Sequence, residues 1–306
     1  MDQSKLIRFK TISEYHRFND LPQPEHPLIS IVDHSKLKQF TSDNSVGMIF
    51  DFYSISMKRG VGKMFYGQQK YDFDEGVMYF MSPNQVLRIE HNQSDMNQER
   101  LGWILLIHPD FLWHTPLAKA IKKYEYFDYS VNEALWLSDK EEATINGIIQ
   151  NIQKEYHSNI DKFSQSIIIS QIETLLNYAD RFYQRQFITR KITNHQILDQ
   201  LEKILTDYFK SNNPSENGLP TVQYIADTLH ISSSYLSSLL KSLTGQSTQQ
   251  HIHNKLIEMA KERLSTTDLS ISEIAYELGF EHSQSFSKLF KNKTKQSPVE
   301  FRQSFN

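Results

Sequence analysis

Two stretches of this chain repeat one another, and the repeat restricts what its C-terminal third can fold into. Val222, Ile225, Ala226 and Leu229 recur as Ile271, Ile274, Ala275 and Leu278. After one extra residue, Leu236, Ser237, Leu240 and Lys241 recur as Phe286, Ser287, Phe290 and Lys291, and Gln246-Ser247-Thr248 recurs as Gln296-Ser297-Pro298. A period of about 50 residues holds two or three helices per copy. Apolar positions at helical spacing predict Thr221–Leu229 and Ser233–Thr244 as one pair, and Ser270–Leu278 and Ser283–Lys293 as the other. Ser233 is read as the cap that opens its helix, and Gly279 as the left-handed residue that ends one. Ala226 and Ala275 are small enough for the second helix of each pair to cross closely over the first, the geometry of a helix-turn-helix. A helical repeat that serves only packing or interaction is the alternative, although solenoids generally take three or more copies to bury a core.

The segment between the copies, Ser247–Leu264, predicts a helix about 27 Å long at about 1.5 Å per residue. Two helices that enter successive major-groove faces of a duplex sit about 34 Å apart. A rigid connector of that order lets one chain span what two subunits of a simple dimer span.

Ahead of the repeat the pattern is different. Short runs rich in aromatic and β-branched residues predict strands at Met48–Met57, Lys63–Phe73, Val77–Met81, Gln85–Glu90 and Leu101–His108, with turn formers between them. Such spacing favours a small antiparallel barrel or sandwich. Helical periodicity then predicts Ser138–His157 and Ser164–Phe187, with Ser138 and Ser164 read as caps. Ile167, Ile168 and Ile169 in succession imply contacts on two sides of the second helix, one of them either a neighbouring element or a second subunit. A polar stretch around Gln184–Asn194 reads as a hinge, and a further helix is predicted over His195–Lys210. The expected organisation is α+β: a barrel-containing region with a helical hairpin at 138–188, a linker at 189–194, and an all-α domain at 195–306.

Residues from about His195 onward resemble the DNA-binding domain of the AraC/XylS regulators. The most specific part is Ile271–Arg302, ISEIAYELGFEHSQSFSKLFKNKTKQSPVEFR, which matches that family's I-x-x-I-A-x-x-x-G-F-x-x-x-S-x-F-x-x-x-F-K-x-x-x-G-x-S-P-x-x-[FY]-R pattern. Gln296 is read as standing where the family has Gly, so this helix would need a non-Gly terminus, whereas the first copy keeps Gly245. The resemblance implies double-stranded DNA and RNA polymerase as partners, transcriptional regulation with activation the favoured sign, and a cupin-like sensing barrel in front. It also implies a small effector and a homodimer. No cofactor is expected.

Within that reading, an apolar stripe of Leu236, Leu239, Leu240 and Leu243 leaves Ser233, Ser234, Ser237, Ser238 and Lys241 facing outward on the first recognition helix. Short hydroxyls discriminate bases poorly. On the second, Phe286, Leu289 and Phe290 turn inward and Ser283, Gln284, Ser285, Ser287, Lys288 and Lys291 outward. Gln suits adenine and Lys suits guanine. The formal net charge of −3 argues against a strong phosphate-driven binder, yet Lys288, Lys291, Lys293 and Lys295 fall in a stretch, Ser283–Ser297, that has no acid.

The chain has no cysteine, which excludes disulfides, thiol nucleophiles and Cys-bound zinc, and a reducing cytoplasm fits. No run is long and apolar enough for a membrane span, and Met1–Tyr15 carries no apolar leader. The rival function is a metal-dependent cupin enzyme with an accessory DNA module. That chemistry needs several His and Glu donors converging on one point, and the strands offer only His91 and His108, far apart in the sequence; His251 and His253, two apart on a helix, diverge. The expectation is therefore no catalytic residue and no metal. Tyr53, Tyr66, Tyr79 and Trp103 are candidates for lining a ligand pocket, with Phe65 and Tyr71 nearby; plain core is the other reading of all of them.

Overall fold

The computed structural model describes residues 5–38, 46–59, 65–66, 69–70, 76–88, 101–129, 133–158, 161–189, 191–211 and 213–304. They divide into two compact units, Met1–Gln186 and Phe187–Asn306. The architecture is mixed α+β, with the sheets in the first unit and a wholly helical second one.

The first unit opens with strand β1 (Lys5–Phe9), helix α1 (Ile12–Phe18) and strand β2 (Ile29–Asp33), none of which the sequence pattern announced. Strands β3 (Val46–Phe50) and β4 (Tyr53–Arg59) replace the single strand expected at Met48–Met57. The chain turns a corner between them: the Asp51 amide donates to the Phe9 carbonyl, the Arg8 guanidinium pairs with the Asp51 carboxylate at 2.7 Å, and Phe52 is fully buried. The two strands consequently enter different sheets.

Strands β5 (Phe65–Tyr66) and β6 (Gln69–Lys70) pair as a short ribbon; the rest of the expected Lys63–Phe73 strand lies outside the described residues. β7 (Val77–Met81), β8 (Val86–Arg88), β9 (Leu101–Ile107) and β10 (Leu135–Trp136) complete the set. One sheet runs β1-β3-β8 and the other β10-β7-β4-β9-β2. β1 and β3 are parallel, against the expectation of a purely antiparallel arrangement. Neither sheet closes on itself among the described residues.

After β9, helix α2 (Leu117–Ala120) and short 3-10 turns lead to β10, and the hairpin of α3 (Asp139–Tyr156) and α4 (Ser164–Thr189) follows. Glu141 closes back on the Ser138 amide at 2.9 Å, the expected cap. At α4 the Asp161 carboxylate accepts from the amides of Phe163 and Ser164, so Asp161 supplies the capping group that the sequence reading gave to Ser164. Ile168 and Ile169 are buried as expected, but Ile167 is 44% exposed. α4 runs on to Thr189, inside the stretch read as a hinge, and α5 begins at Lys191.

The second unit contains α5 (Lys191–Lys210), α6 (Asn213–Asn217), α7 (Val222–Thr228), α8 (Ser233–Thr244), α9 (Thr248–Thr266), α10 (Ile271–Glu277), α11 (Ser283–Thr294) and α12 (Pro298–Gln303). α5 starts ahead of the expected His195. Two cores form, and two helices serve both. Leu201 and Leu205 of α5 and Ile252 of α9 pack with Ile225, Ala226, Leu236 and Leu240. Phe209 of α5 and Leu256, Ala260 and Leu264 of α9 pack with Ile274, Ala275, Phe286 and Phe290. Ala226 and Ala275 are fully or almost fully buried where each helix pair crosses. No helix among the described residues is long and apolar enough to cross a membrane.

Candidate nucleic-acid interface

Each copy of the repeat is built on the same backbone turn. In the first, His230 takes a left-handed conformation at φ 56° and the Ile231 amide donates to the Ala226 carbonyl. In the second, Gly279 does so at φ 90° and the Phe280 amide donates to the Ala275 carbonyl. The extra residue of the second copy, Glu281, comes after this shared turn. Gly279 has a further reason to lack a side chain: a Cβ there would lie 2.8 Å from the Gly218 carbonyl carbon and 2.9 Å from the Pro214 oxygen.

The helix that follows opens differently in the two copies. Ser232, not Ser233, is the cap of α8, and its hydroxyl accepts from the Tyr235 amide at 3.1 Å. His282 is the cap of α11 and its side chain makes no capping bond. At the far ends the copies agree again. α8 stops at Gly245 with φ 71° and α11 at Lys295 with φ 68°. The left-handed residue of the second copy is therefore Lys295; the sequence reading had placed the departure one residue on, at Gln296.

On α11 the outward set is as expected. Gln284, Ser285, Lys288 and Lys291 are exposed and Ser283 and Ser287 half-buried, while Phe286 and Phe290 are fully buried. Lys293 reaches back to Asn254 of α9 at 3.3 Å. On α8, Lys241 is exposed and Ser233, Ser234 and Ser237 are half-buried, but Ser238 is only 9% exposed. It lies one turn beyond Tyr235, whose ring packs edge-on to Phe187 at 5.3 Å, so that flank of the helix is covered and the buried stripe is wider than four leucines suggest. Two further hydroxyls are engaged within the protein. Ser233 donates to Gln223 Oε1 at 2.8 Å, and Ser237 lies 3.3 Å from the Thr248 hydroxyl. Gln223, on the first helix of the pair, is thus a neighbour of this face that sequence reasoning missed.

The frame behind these helices is held by ionic contacts. The Lys255 ammonium, nearly buried on α9, pairs with Glu202 of α5 at 2.5 Å and with Glu258 at 3.2 Å. Burial pushes its pKa down, and the hydrogen bonds and charges of the two carboxylates outweigh that and hold it above the ordinary lysine value. Arg302, the last residue of the quoted motif, donates to the Leu264 and Leu269 carbonyls and so ties α12 to the end of α9.

The ligand candidates of the first unit have separate surroundings where they are described. Tyr53 packs edge-on to Phe127 at 5.3 Å, and Trp103 Nε1 donates to Asn146 of α3 at 2.9 Å. Tyr66 belongs to β5, its side chain outside the described set, as are Tyr71 and His91. Tyr79 lines an open cleft of about 340 Å³ shared with Tyr126, Asp128 and Tyr183. His108 caps the 3-10 turn Pro109–Leu112, accepting from the Asp110 amide. Among the described residues no cluster of three or more His, Asp or Glu side chains is placed to hold a metal ion.

Residues 225–304 match a family described as a helix-turn-helix domain. The chain is 26% identical over 82% of its length to the HTH-type transcriptional regulator YfiF of Bacillus subtilis, spanning 76% of that protein. It is 34% identical over 36% of its length to the HTH-type transcriptional activator RhaS of an Enterobacter species, and spans 37% of that one. Among solved structures, the C-terminal domain of AraT, a response regulator from Geobacillus stearothermophilus, is 28% identical, with 35% of this chain and 84% of that one covered and a TM-score of 0.31.

Proposed function

We infer that this chain, whose C-terminal region is an AraC-type helix-turn-helix domain, is a DNA-binding transcription regulator that reads two successive major-groove faces, one with α8 and one with α11. The observation that carries the double reading is the internal repeat: two like helix pairs flank one helix of 19 residues, about 28 Å at about 1.5 Å per residue. Base discrimination resides on α11, with Gln284 and Lys288 facing base edges, Ser283, Ser285 and Ser287 beside them and Lys291 on phosphate. α8 contributes Lys241 and Ser234, with Ser233 and Ser237 in support. Its hydroxyls face Gln223 and Thr248 as well as any duplex, so this helix positions more than it reads.

The first unit is the regulatory module in this reading: a cupin-like sensing fold whose cleft beside Tyr79 takes a small effector. The exposed Ile167 and Phe163 at the start of α4 suit a second copy of the chain. In this reading the protein acts in the cytoplasm, as an activator, and catalyses no reaction. Selection of binding sites from random DNA followed by footprinting tests the proposal. A protected region across two adjacent major-groove faces is the expected result, and protection confined to one face, or equal affinity for all sequences, overturns it.

A further inference from the structure

β10 pairs with β7 only through Val77 and Met78. Beyond them β7 continues as Tyr79–Met81 with no partner from β10, and the open cleft lies along that stretch. Its aromatic wall is tightly assembled: Tyr126 and Tyr183 are stacked at 5.4 Å and 18°, Tyr129 meets Tyr183 edge-on at 5.2 Å, and Phe80 packs on Tyr126 at 4.5 Å. The polar ends of these rings are turned to the main chain. Tyr126 donates to the Leu176 carbonyl and Tyr183 to the Glu133 carbonyl, and both rings are buried, so among the aromatic lining residues Tyr79 is the half-exposed one. Gln85 is engaged at both ends, donating to the Phe127 carbonyl and accepting from the Ser82 amide.

That leaves one charged side chain among the described lining residues, the exposed carboxylate of Asp128; no Lys, Arg or His is among them. Its charge is felt beyond the lining residues: burial first, and the Asp128 charge second, raise the Tyr53 phenol above its ordinary range. The chain also uses one of these rings to hold an ammonium already, with Lys58 Nζ 5.5 Å from the centre of Tyr79.

We propose that this cleft binds a small organic cation, an ammonium or amidinium head on an apolar body, with the half-exposed Tyr79 ring and the Asp128 carboxylate beside the charge. An anion of the same shape meets that carboxylate; Lys58, over the Tyr79 ring, is not among the described lining residues. A neutral analogue keeps the wall contacts and loses the charge. A volume of about 340 Å³ is at the small end of ligand sites and suits one ring and a short arm. The proposal rests on the effector reading above and adds the sign of the effector's charge.

Titration calorimetry on the full chain with phenethylammonium, 2-phenylethanol and 3-phenylpropanoate tests it. The ammonium should bind about tenfold more tightly than the alcohol and more tightly still than the carboxylate. Asp128→Asn should cut the preference over the alcohol to about two- to threefold, and Asp128→Lys should abolish ammonium binding; Asp128 is exposed, so both variants keep the fold. Equal binding of the three probes, a preference unchanged in Asp128→Asn, or no binding of phenethylammonium overturns the proposal. Footprints taken with each probe separate it from its premise. A cation that binds without altering DNA protection upholds the site and removes the effector reading, whereas a neutral or anionic probe that binds equally well and alters protection does the reverse.

Discussion

Lys255 and Glu202 join α9 to α5 through a contact of 2.5 Å, with the lysine side chain 8% exposed and the glutamate largely in solvent. The carboxylates raise the lysine pKa, so the folded protein holds this proton more tightly than the unfolded chain does. The contribution is therefore fully present below the unfolded lysine pKa of about 10.4 and is lost as pH rises through the higher folded value. Lys255→Met should lower the melting temperature at pH 7, and the gap to the parent protein should narrow in melts taken above about pH 10.5. A gap independent of pH would mean that the lysine acts by packing alone.

Gly279 is fixed by two constraints and Gly245 by one. Both have positive φ, but a Cβ at Gly245 meets nothing within 4 Å. Gly245→Ala should cost about 1 kcal/mol, and Gly279→Ala about 2 kcal/mol or more because the backbone at Pro214 and Gly218 must also move. Chemical denaturation of the two variants checks the order.

Lys295 occupies the left-handed terminus that Gly245 occupies in the first copy. Lys295→Gly should stabilise the protein by about 0.5–1 kcal/mol, since glycine adopts that conformation without the Cβ clash. A rise in the denaturation midpoint at unchanged slope is the expected reading.

His282 has the extended backbone of a helix cap and no side-chain bond to the helix it opens. His282→Ser should recover what Ser232 supplies in the first copy, about 1 kcal/mol. Unchanged stability would show that the α11 amides are already well solvated.

On α11, Gln284→Ala and Lys288→Ala should each cost about 1–3 kcal/mol at the preferred site and relax selectivity at one base position. Lys291→Ala should weaken binding to all sequences alike and lower the salt dependence by about one released ion. Fluorescence anisotropy across a salt series distinguishes the two behaviours.

The helical unit was legible because its apolar period and its duplication supported each other: each Ala-Leu crossing position appears twice at matched spacing. What remained hidden there depended on tertiary neighbours. Ser238 reads as outward until Phe187 covers Tyr235, and the capping roles of Ser232, His282 and Lys295 differ from a sequence reading by a single residue. In the sheet-bearing unit, β1 and β2 are five residues each, too short for alternation to stand out, and the corner at Asp51 depends on Phe9 and Arg8, far away in sequence. Aromatic content alone did not locate the cleft, because Tyr126, Tyr129 and Tyr183 lie outside the strands and meet only in the fold.

Because α5 and α9 each lend side chains to both cores of the helical unit, the two helix pairs, which we propose read the duplex, are tied to one frame. Target sites should tolerate base changes better than changes in spacing. One base pair added between the contacted segments turns the second groove by about a tenth of a revolution, and the duplex, bending at a cost set by its own sequence, would have to absorb it.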